Sequence, residues 1–412
     1  MRRRGFALIG PSLAPADRPA LPDVTYRPPA RHGDLYALGL RRGDSVLVVD
    51  GLYQHVAPLR HKEILAALAQ GVRVYGAASY GALRSAELAD HGMVGVGRVA
   101  AAYRGGELAS DADVAVLHSD DEACRPVTIA LVSLRTAARA LAEAGRIDPA
   151  AADEVIAIGA ALHYTERAPG ALRARAAAVG VGAATDLVLA ELAAGRDVKR
   201  QDALEGLRRL GEDTGGIDPP PATRWDSSYG AETAFAHTPL VAGGVTGRRL
   251  LACLQVFAPD YPERHRAYVH RMARASSSTG PGAAPVLAAA GFDVPAVAAG
   301  RYAGRTRATG HWPREERALV RTFRLPPGRC VYKDLPPEAL GGRPLADVLA
   351  WSAELGPPPP AGRRLTGAAL AGLWGAANDE ELLLSALERG FRDLGEAVAV
   401  GRTLDLSRGA AR

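Results

Sequence analysis

Residues 72–93 read VRVYGAASYGALRSAELADHGM, an apolar segment that turns abruptly into a helical pattern with a serine at the turn. Val72, Val74 and Tyr75 suit a buried strand. Gly76, Ala77 and Ala78 then strip bulk from its end, and Gly81 lets backbone approach closely just past Ser79. Ala77-x-Ser79-x-Gly81 is one glycine short of the G-x-S-x-G elbow, in which a sharp strand-to-helix turn lifts a hydroxyl above a sheet and backbone N–H groups gather an oxyanion. Ser79 therefore has two uses open to it. It can act as a nucleophile, or it can cap the helix by accepting a backbone N–H.

Working outward, three more apolar segments, 6–10, 45–51 and 113–119, precede residue 120. Helical patterns at about 34–41, 58–70, 81–92 and 95–104 alternate with them. Continuous apolar strands separated by helices predict an α/β fold, a mainly parallel sheet with helices on both faces. The carboxyl ends of such strands share one edge, where ligands bind. A polar residue stands at each of the four ends: Ser12, Asp50, Ser79 and His118.

Helical patterns at 126–145, 150–163, 170–179, 183–194 and 198–211, punctuated by glycine and proline, predict a helical lobe after the sheet. Residues 214–223, 276–285 and 357–360 read as loops or linkers. A helix at 247–257, a strand at 317–325 and helices at 343–354 and 378–394 make a smaller mixed carboxy-terminal region. The expected organisation is an α/β core over 1–125, a helical extension over 126–214 packed on it, a linker over 215–245 and a mainly helical region over 246–412.

A chain of 412 residues exceeds one ordinary core, and 48% apolar residues with 5% aromatics favour close helix-on-sheet packing. No apolar run approaches the roughly 18 residues that span a bilayer. The opening MRRRGFALIG breaks at Gly10-Pro11 before a signal peptide is complete. A soluble cytoplasmic protein is expected, without a membrane as partner. The net charge of +5 comes from basic residues spread among acids, with no groove-reading motif, so nucleic acid is not expected either. An acidic protein or an anionic substrate fits the charge. Cys124, Cys253 and Cys330 are too scattered for a disulfide framework or a paired-cysteine zinc site. Phosphate-loop and dinucleotide fingerprints are missing after every strand, so neither cofactor nor metal is expected. Only Lys62, Lys199 and Lys333 among 50 basic residues are lysines. An ammonium is a compact charge that arginine's planar fork does not reproduce, so each lysine asks for a reason.

The helix opened by Pro58 carries His61, Lys62 and Glu63 early, and its apolar stripe through Ile64, Leu65 and Leu68 steps back onto His61. His61 is thus expected to face the sheet near Ser79, where a neutral imidazole suits a base. Glu63 or Asp50 would orient it. Arg84 lies one turn past the elbow, three residues before Glu87, and either pairs with that carboxylate or holds an anion. Ser12 follows the first strand through Pro11 and offers a second hydroxyl to the same edge.

At these residues the chain resembles the TfuA-like family. The resemblance rests on Gly10-Pro11-Ser12-Leu13, Pro28-Pro29, Gly33-Asp34-Leu35-Tyr36, Asp50-Gly51, His61-Lys62-Glu63-Ile64, residues 76–84 with Ala86-Glu87-Leu88, Gly92-Met93 and Asp113-x-Ala115-Val116-x-His118, in order over about the first 120 residues. Tyr80, Ser85 and His91 depart from the family's usual methionine, alanine and aromatic residue. The resemblance implies an accessory protein of backbone thioamidation in ribosomally made peptides, partnered by a YcaO enzyme, a ThiS-like sulfur carrier and a precursor peptide. It implies hydrolysis of the carrier's C-terminal thiocarboxylate, with Ser79 attacking or positioning water, His61 as base, and Arg84, Lys62, Ser12 and Glu87 binding the tail. The alternative is a non-enzymatic adaptor that docks the sulfur donor or substrate onto the YcaO partner.

Overall fold

Alternate residues of each central strand face opposite sides, and both sides are apolar. Phe6, Leu8, Val46, Val48 and Val74 point to one face, while Ala7, Ile9, Leu47, Val49, Tyr75 and Ala77 point to the other. A strand apolar on both faces must be covered twice, which selects parallel pairing with crossover helices. The computed structural model describes residues 4–52, 56–121, 124–213, 228–240, 244–268, 337–340, 342–354, 367–391 and 393–404. It divides the chain into two units, Met1–Asp226 and Ser227–Arg412.

In the first unit the strands β1 (Gly5–Leu8), β2 (Val24–Arg27), β3 (Ser45–Val48), β4 (Arg73–Ala77) and β5 (Val94–Val96) form one parallel sheet in the order β2-β1-β3-β4-β5. Helices α1 (Asp34–Ala37), α2 (His61–Ala69) and α3 (Tyr80–Glu87) lie between successive strands from β2 to β5, and α4 (Gly97–Arg104) follows β5. Leu35, Ile64, Leu65, Leu68 and Tyr80 bury the first face. The second face is closed by α9 (Val198–Glu212), through Ala203, Leu207 and Leu210. Between them in sequence, α5 (Leu131–Glu143), α6 (Pro149–Ala161), α7 (Pro169–Ala178) and α8 (Gly182–Ala193) share their own core of Leu134, Leu141, Val155, Leu172 and Val188.

The expected α/β class is what the chain adopts. Three segments differ from expectation. Residues 113–119 are not a strand but an irregular segment that bridges at His118 to Pro126. Strand β5 occupies Val94–Val96, in front of the helix expected from 95. Strand β2, an edge strand with alternating exposure, has no counterpart among the expected segments.

Helix α9 runs the full depth of the sheet. At its far end Asp213 accepts from Ser45 Oγ at 2.7 Å and pairs with Arg73, fixing the helix to the amino ends of β3 and β4. Midway, Asp202 accepts from the amides of Arg98 and Val99 at 3.0 and 2.7 Å, supplying the first turn of α4 with acceptors that α4 itself lacks. At its start, Asp197 caps Lys199 N at 2.8 Å and accepts from Ser133 Oγ at 2.6 Å.

The second unit is described as helices, including Gly247–Phe257, Leu345–Glu354, Gly367–Trp374, Asp379–Glu388 and Leu394–Gly401, around Cys253, Val256, Leu370 and Phe391. The strand expected at 317–325, the linkers at 214–223, 276–285 and 357–360, and Cys330 and Lys333 lie outside the described residues. Among the described residues, no helix is long and apolar enough to cross a membrane.

The tightest constraint sits where α3 meets the sheet. Gly81 N donates to Val49 O at 3.1 Å, and a Cβ on Gly81 would stand 1.8 Å from Val48 O. Because that obstacle is strand backbone, Gly81→Ala is expected to lower stability by about 3 kcal/mol, the upper range of core overpacking. Denaturant titration of the full chain checks this: a midpoint unchanged from wild type would refute the close contact.

Candidate functional site

Strand β1 has β2 on one side and β3 on the other, so the chain leaves the β1 and β3 ends in opposite directions and opens a crevice between them. Asp50 fills the floor of that crevice. Its Oδ2 accepts from Gly10 N at 2.9 Å and Ser12 N at 3.1 Å, and its Oδ1 accepts from Ser12 Oγ at 2.6 Å. The two exits are thereby tied together by one carboxylate that is only 2% exposed. Asp50 orients Ser12 rather than His61.

Next along the edge, β4 ends in a strained turn. Ala78 adopts φ +64°, a left-handed conformation unfavourable for a residue with a Cβ, and Ser79 N donates to Ala77 O at 2.7 Å. Ser79 then occupies the N-cap position of α3, but its side chain makes no capping hydrogen bond. The cap reading of this serine therefore lacks its bond. Around the turn, Ser79 N is given to Ala77 O and Gly81 N to Val49 O, so neither of these amides faces a ligand.

A cavity of about 380 Å³ lies over these strand ends, with Ser79, Asp50, Gly51, Val114, His118 and Tyr164 in its wall. Its outer wall is the irregular 113–119 segment. Leu117 N donates to Thr128 Oγ1 at 2.7 Å and Val127 N to Leu117 O at 2.7 Å. Buried Arg167 donates to Ala112 O at 2.7 Å, Gly159 O at 2.9 Å and Leu162 O at 3.1 Å, tying the segment to α6. His118 Nδ1 sits 2.8 Å from Ser119 O. A proton on Nδ1 satisfies that carbonyl and leaves Nε2 as the acceptor, the tautomer a general base requires.

The other expected residues are brought together elsewhere. His61 does not face the sheet: its ring is 44% exposed, and Nε2–H donates to Glu87 Oε2 at 2.8 Å. Arg84 Nη1 lies 3.3 Å from the same ring nitrogen and pairs with Glu87, while its Nε donates to Tyr80 Oη at 2.9 Å and its guanidinium stacks over the Tyr80 ring. Tyr80, in turn, donates to Leu59 O and rests on Gly51. Position 61 opens α2, and the buried stripe begins only at Glu63, so the side chain at the helix end reaches across to α3.

Glu63 is 1% exposed and belongs to His32. Its Oε1 meets His32 Nδ1 at 2.9 Å and its Oε2 accepts from Gly33 N at 2.8 Å. Burial pushes the Glu63 carboxyl upward, against the opposing pull of His32 and of the Arg60 and Gly33 amides. Lys62 is partly exposed on α2 and does not line the Ser79 cavity. Cys124 carries a thiol pushed upward by burial and by the Asp50 carboxylate, which disfavours a reactive thiolate.

The sequence singled out Lys199 without giving it a role. It is 4% exposed, its Nζ donates to Val114 O at 2.8 Å, and burial pulls its ammonium downward while Asp50 and Asp197 oppose the shift. The signal was the scarcity of lysine. Among the described residues, no group of three or more His, Cys, Asp and Glu side chains is arranged to hold a metal ion.

A family model described as TfuA-like protein matches residues 50–168. A comparison with curated proteins gives no match. The matched segment begins at Asp50 and takes in Ser79, His118 and Arg167, whereas Ser12 and all of α9 fall outside it.

Two substitutions separate the roles of the strand-end residues. Asp50→Ala strands two amides and a hydroxyl and is expected to cost about 3 kcal/mol or more. Ser79→Ala removes a hydroxyl without a capping bond and is expected to stay within about 0.5 kcal/mol of wild type, less than the roughly 1 kcal/mol of a lost cap. Urea midpoints of both variants test the assignment, and a Ser79→Ala loss matching a cap would restore the capping role.

Proposed function

We propose, from the match of residues 50–168 to the TfuA-like family model, that this chain is an accessory protein of backbone thioamidation that releases sulfur from a thiocarboxylated ThiS-like carrier beside a YcaO partner. The observation that carries the reading is a serine hydroxyl without a capping bond, on a strained turn, in the wall of a cavity shared with Asp50 and His118. A hydroxyl without a capping bond, sharing a cavity wall with a histidine whose acceptor nitrogen is set by a neighbouring carbonyl, is the equipment of acyl transfer.

The reaction balances simply. A thiocarboxylate R–COS⁻ and water give R–COO⁻ and hydrogen sulfide; the carbon–sulfur bond breaks, a carbon–oxygen bond forms, and water supplies the oxygen and both protons. In the proposed sequence His118 takes the Ser79 proton as the hydroxyl oxygen attacks the thiocarboxylate carbon. The imidazolium then returns that proton to the departing sulfur. Water, activated by the same histidine, hydrolyses the acyl-serine. Asp50 holds Ser12 and the β1 exit in position beneath the site. His61, Glu87 and the largely buried Arg84 form a separate polar cluster on α2 and α3, with His61 and Glu87 suited to meeting a partner's surface rather than the reacting atoms.

Incubating the full chain with a thiocarboxylated ThiS-like carrier and measuring sulfide tests the proposal. Wild type is expected to release sulfide, with Ser79→Ala and His118→Gln each lowering the rate by about two orders of magnitude or more, the usual scale of a lost general base. His61→Gln is expected to leave carrier hydrolysis within about three-fold of wild type, far less than that scale. A wild-type protein that binds the YcaO partner yet releases no sulfide in its presence would make the chain an adaptor.

A further inference from the structure

We propose that Lys199 supplies the positive charge that lets the Ser79 cavity accept an anionic thiocarboxylate tail, acting from behind the 114–118 segment that forms the cavity's outer wall. The inference rests on the proposed substrate and adds the group that recognises its charge.

An anionic tail entering this cavity meets two carboxylates in the wall, buried Asp50 and exposed Asp120. Two like charges several ångströms apart in a protein interior repel strongly enough to exclude the ligand unless a cation compensates. Of the amides around the turn, Ser79 N is given to Ala77 O and Gly81 N to Val49 O, and an amide dipole in any case carries no net charge to offset a carboxylate. Arg84 is committed to Glu87 and Tyr80, and neither it nor Lys62 lines the cavity.

Lys199 is the cation placed to do this. Its ammonium donates to the carbonyl of Val114, and Val114 itself lines the Ser79 cavity. On its own side Lys199 lines a second cavity of about 410 Å³ together with Ser12 and Asp197, and Pro11 and Val116 border both cavities. The charges facing it are Asp50, Asp197 and Arg173. Asp197 is engaged in capping α9, and Arg173 is paired with Asp186 at 2.7 Å. The ammonium forms no ion pair: one of its three N–H groups has the Val114 carbonyl, and no carboxylate closes on it among the described residues.

A purely anchoring role explains this poorly. The covering segment is already held at Leu117 by Thr128 Oγ1 and Val127 N, and just ahead of it Arg167 donates to Ala112 O. Burying an unpaired ammonium costs several kcal/mol, and a neutral donor would hold one carbonyl at far lower cost. In a chain where only three of 50 basic residues are lysines, retaining a buried one at the edge of the cavity indicates that the charge itself is used.

The test compares thioacetate, a small thiocarboxylate, with thioacetamide, its neutral isostere, by NMR titration of the full chain. Wild type is expected to bind thioacetate about ten-fold more tightly, the order expected from one additional charge at protein-like dielectric. Lys199→Gln keeps a donor for the Val114 carbonyl but removes the charge, and is expected to bring the two affinities together by weakening thioacetate alone. Lys199→Met provides the same reading should the glutamine variant misfold, with melting temperature as the control. Equal affinities in wild type, or a preference retained without Lys199, overturn the inference. Equal weakening of both probes identifies an anchor and overturns it too. Because binding is read without turnover, a wild-type preference for thioacetate with no sulfide release from the carrier would sink the hydrolase reading and leave this one standing.

Discussion

One carboxylate organises the ligand edge of this protein. Parallel strands bring their polar ends to one side but do nothing to hold the loops that follow, and at the switch between β1 and β3 those loops diverge. Asp50 closes the gap by accepting two backbone amides and a hydroxyl from the β1 exit. It thereby fixes the floor of the cavity whose wall includes Ser79 and His118. The arrangement is charge-dependent twice over, since the carboxylate is nearly inaccessible and every charge near it is felt at low dielectric.

The opposite constraint is steric. Helix α3 starts so close to β3 that residue 81 has room only for glycine, and the chain reaches that position by turning through a left-handed alanine at 78. Strain of this kind costs about 1–3 kcal/mol and persists only where neighbouring contacts over-determine the backbone. Here the Gly81 amide bonded to Val49 and the buried faces of β4 supply them. The consequence is a serine that occupies a helix cap in sequence but not in bonding.

Much of this edge was legible in the sequence because it follows from strand periodicity and small residues. Ser12, Asp50 and Ser79 were placed by the ends of apolar segments, and those segments are strands. The 113–119 segment misled for a physical reason: it is apolar because it roofs the cavity, and side chains rather than a strand ladder hold its backbone, with Thr128 and Lys199 meeting Leu117 N and Val114 O. Strands β2 and β5 escaped notice because they are short edge strands, one alternating in exposure and one only three residues long. His61 was drawn inward by a stripe that extrapolates correctly along a helix but not past its first residue, where a long side chain is free to cross to the neighbouring helix. Glu63 was expected to orient His61, and its actual partner, His32, lies 31 residues away.

Lys199 shows what neither periodicity nor a motif reveals. It lies outside the matched family segment, on a helix whose core-facing residues explain its presence as cover for the sheet. The same helix is pinned at the amino edge through Asp213 and caps α4 through Asp202, so its first turn is delivered to the carboxyl edge as a consequence of covering the whole face. An arginine at that point would need a fork of acceptors, as Arg167 has. A lysine requires only one, and keeps the rest of its charge for whatever enters the cavity on the other side of the Val114 carbonyl.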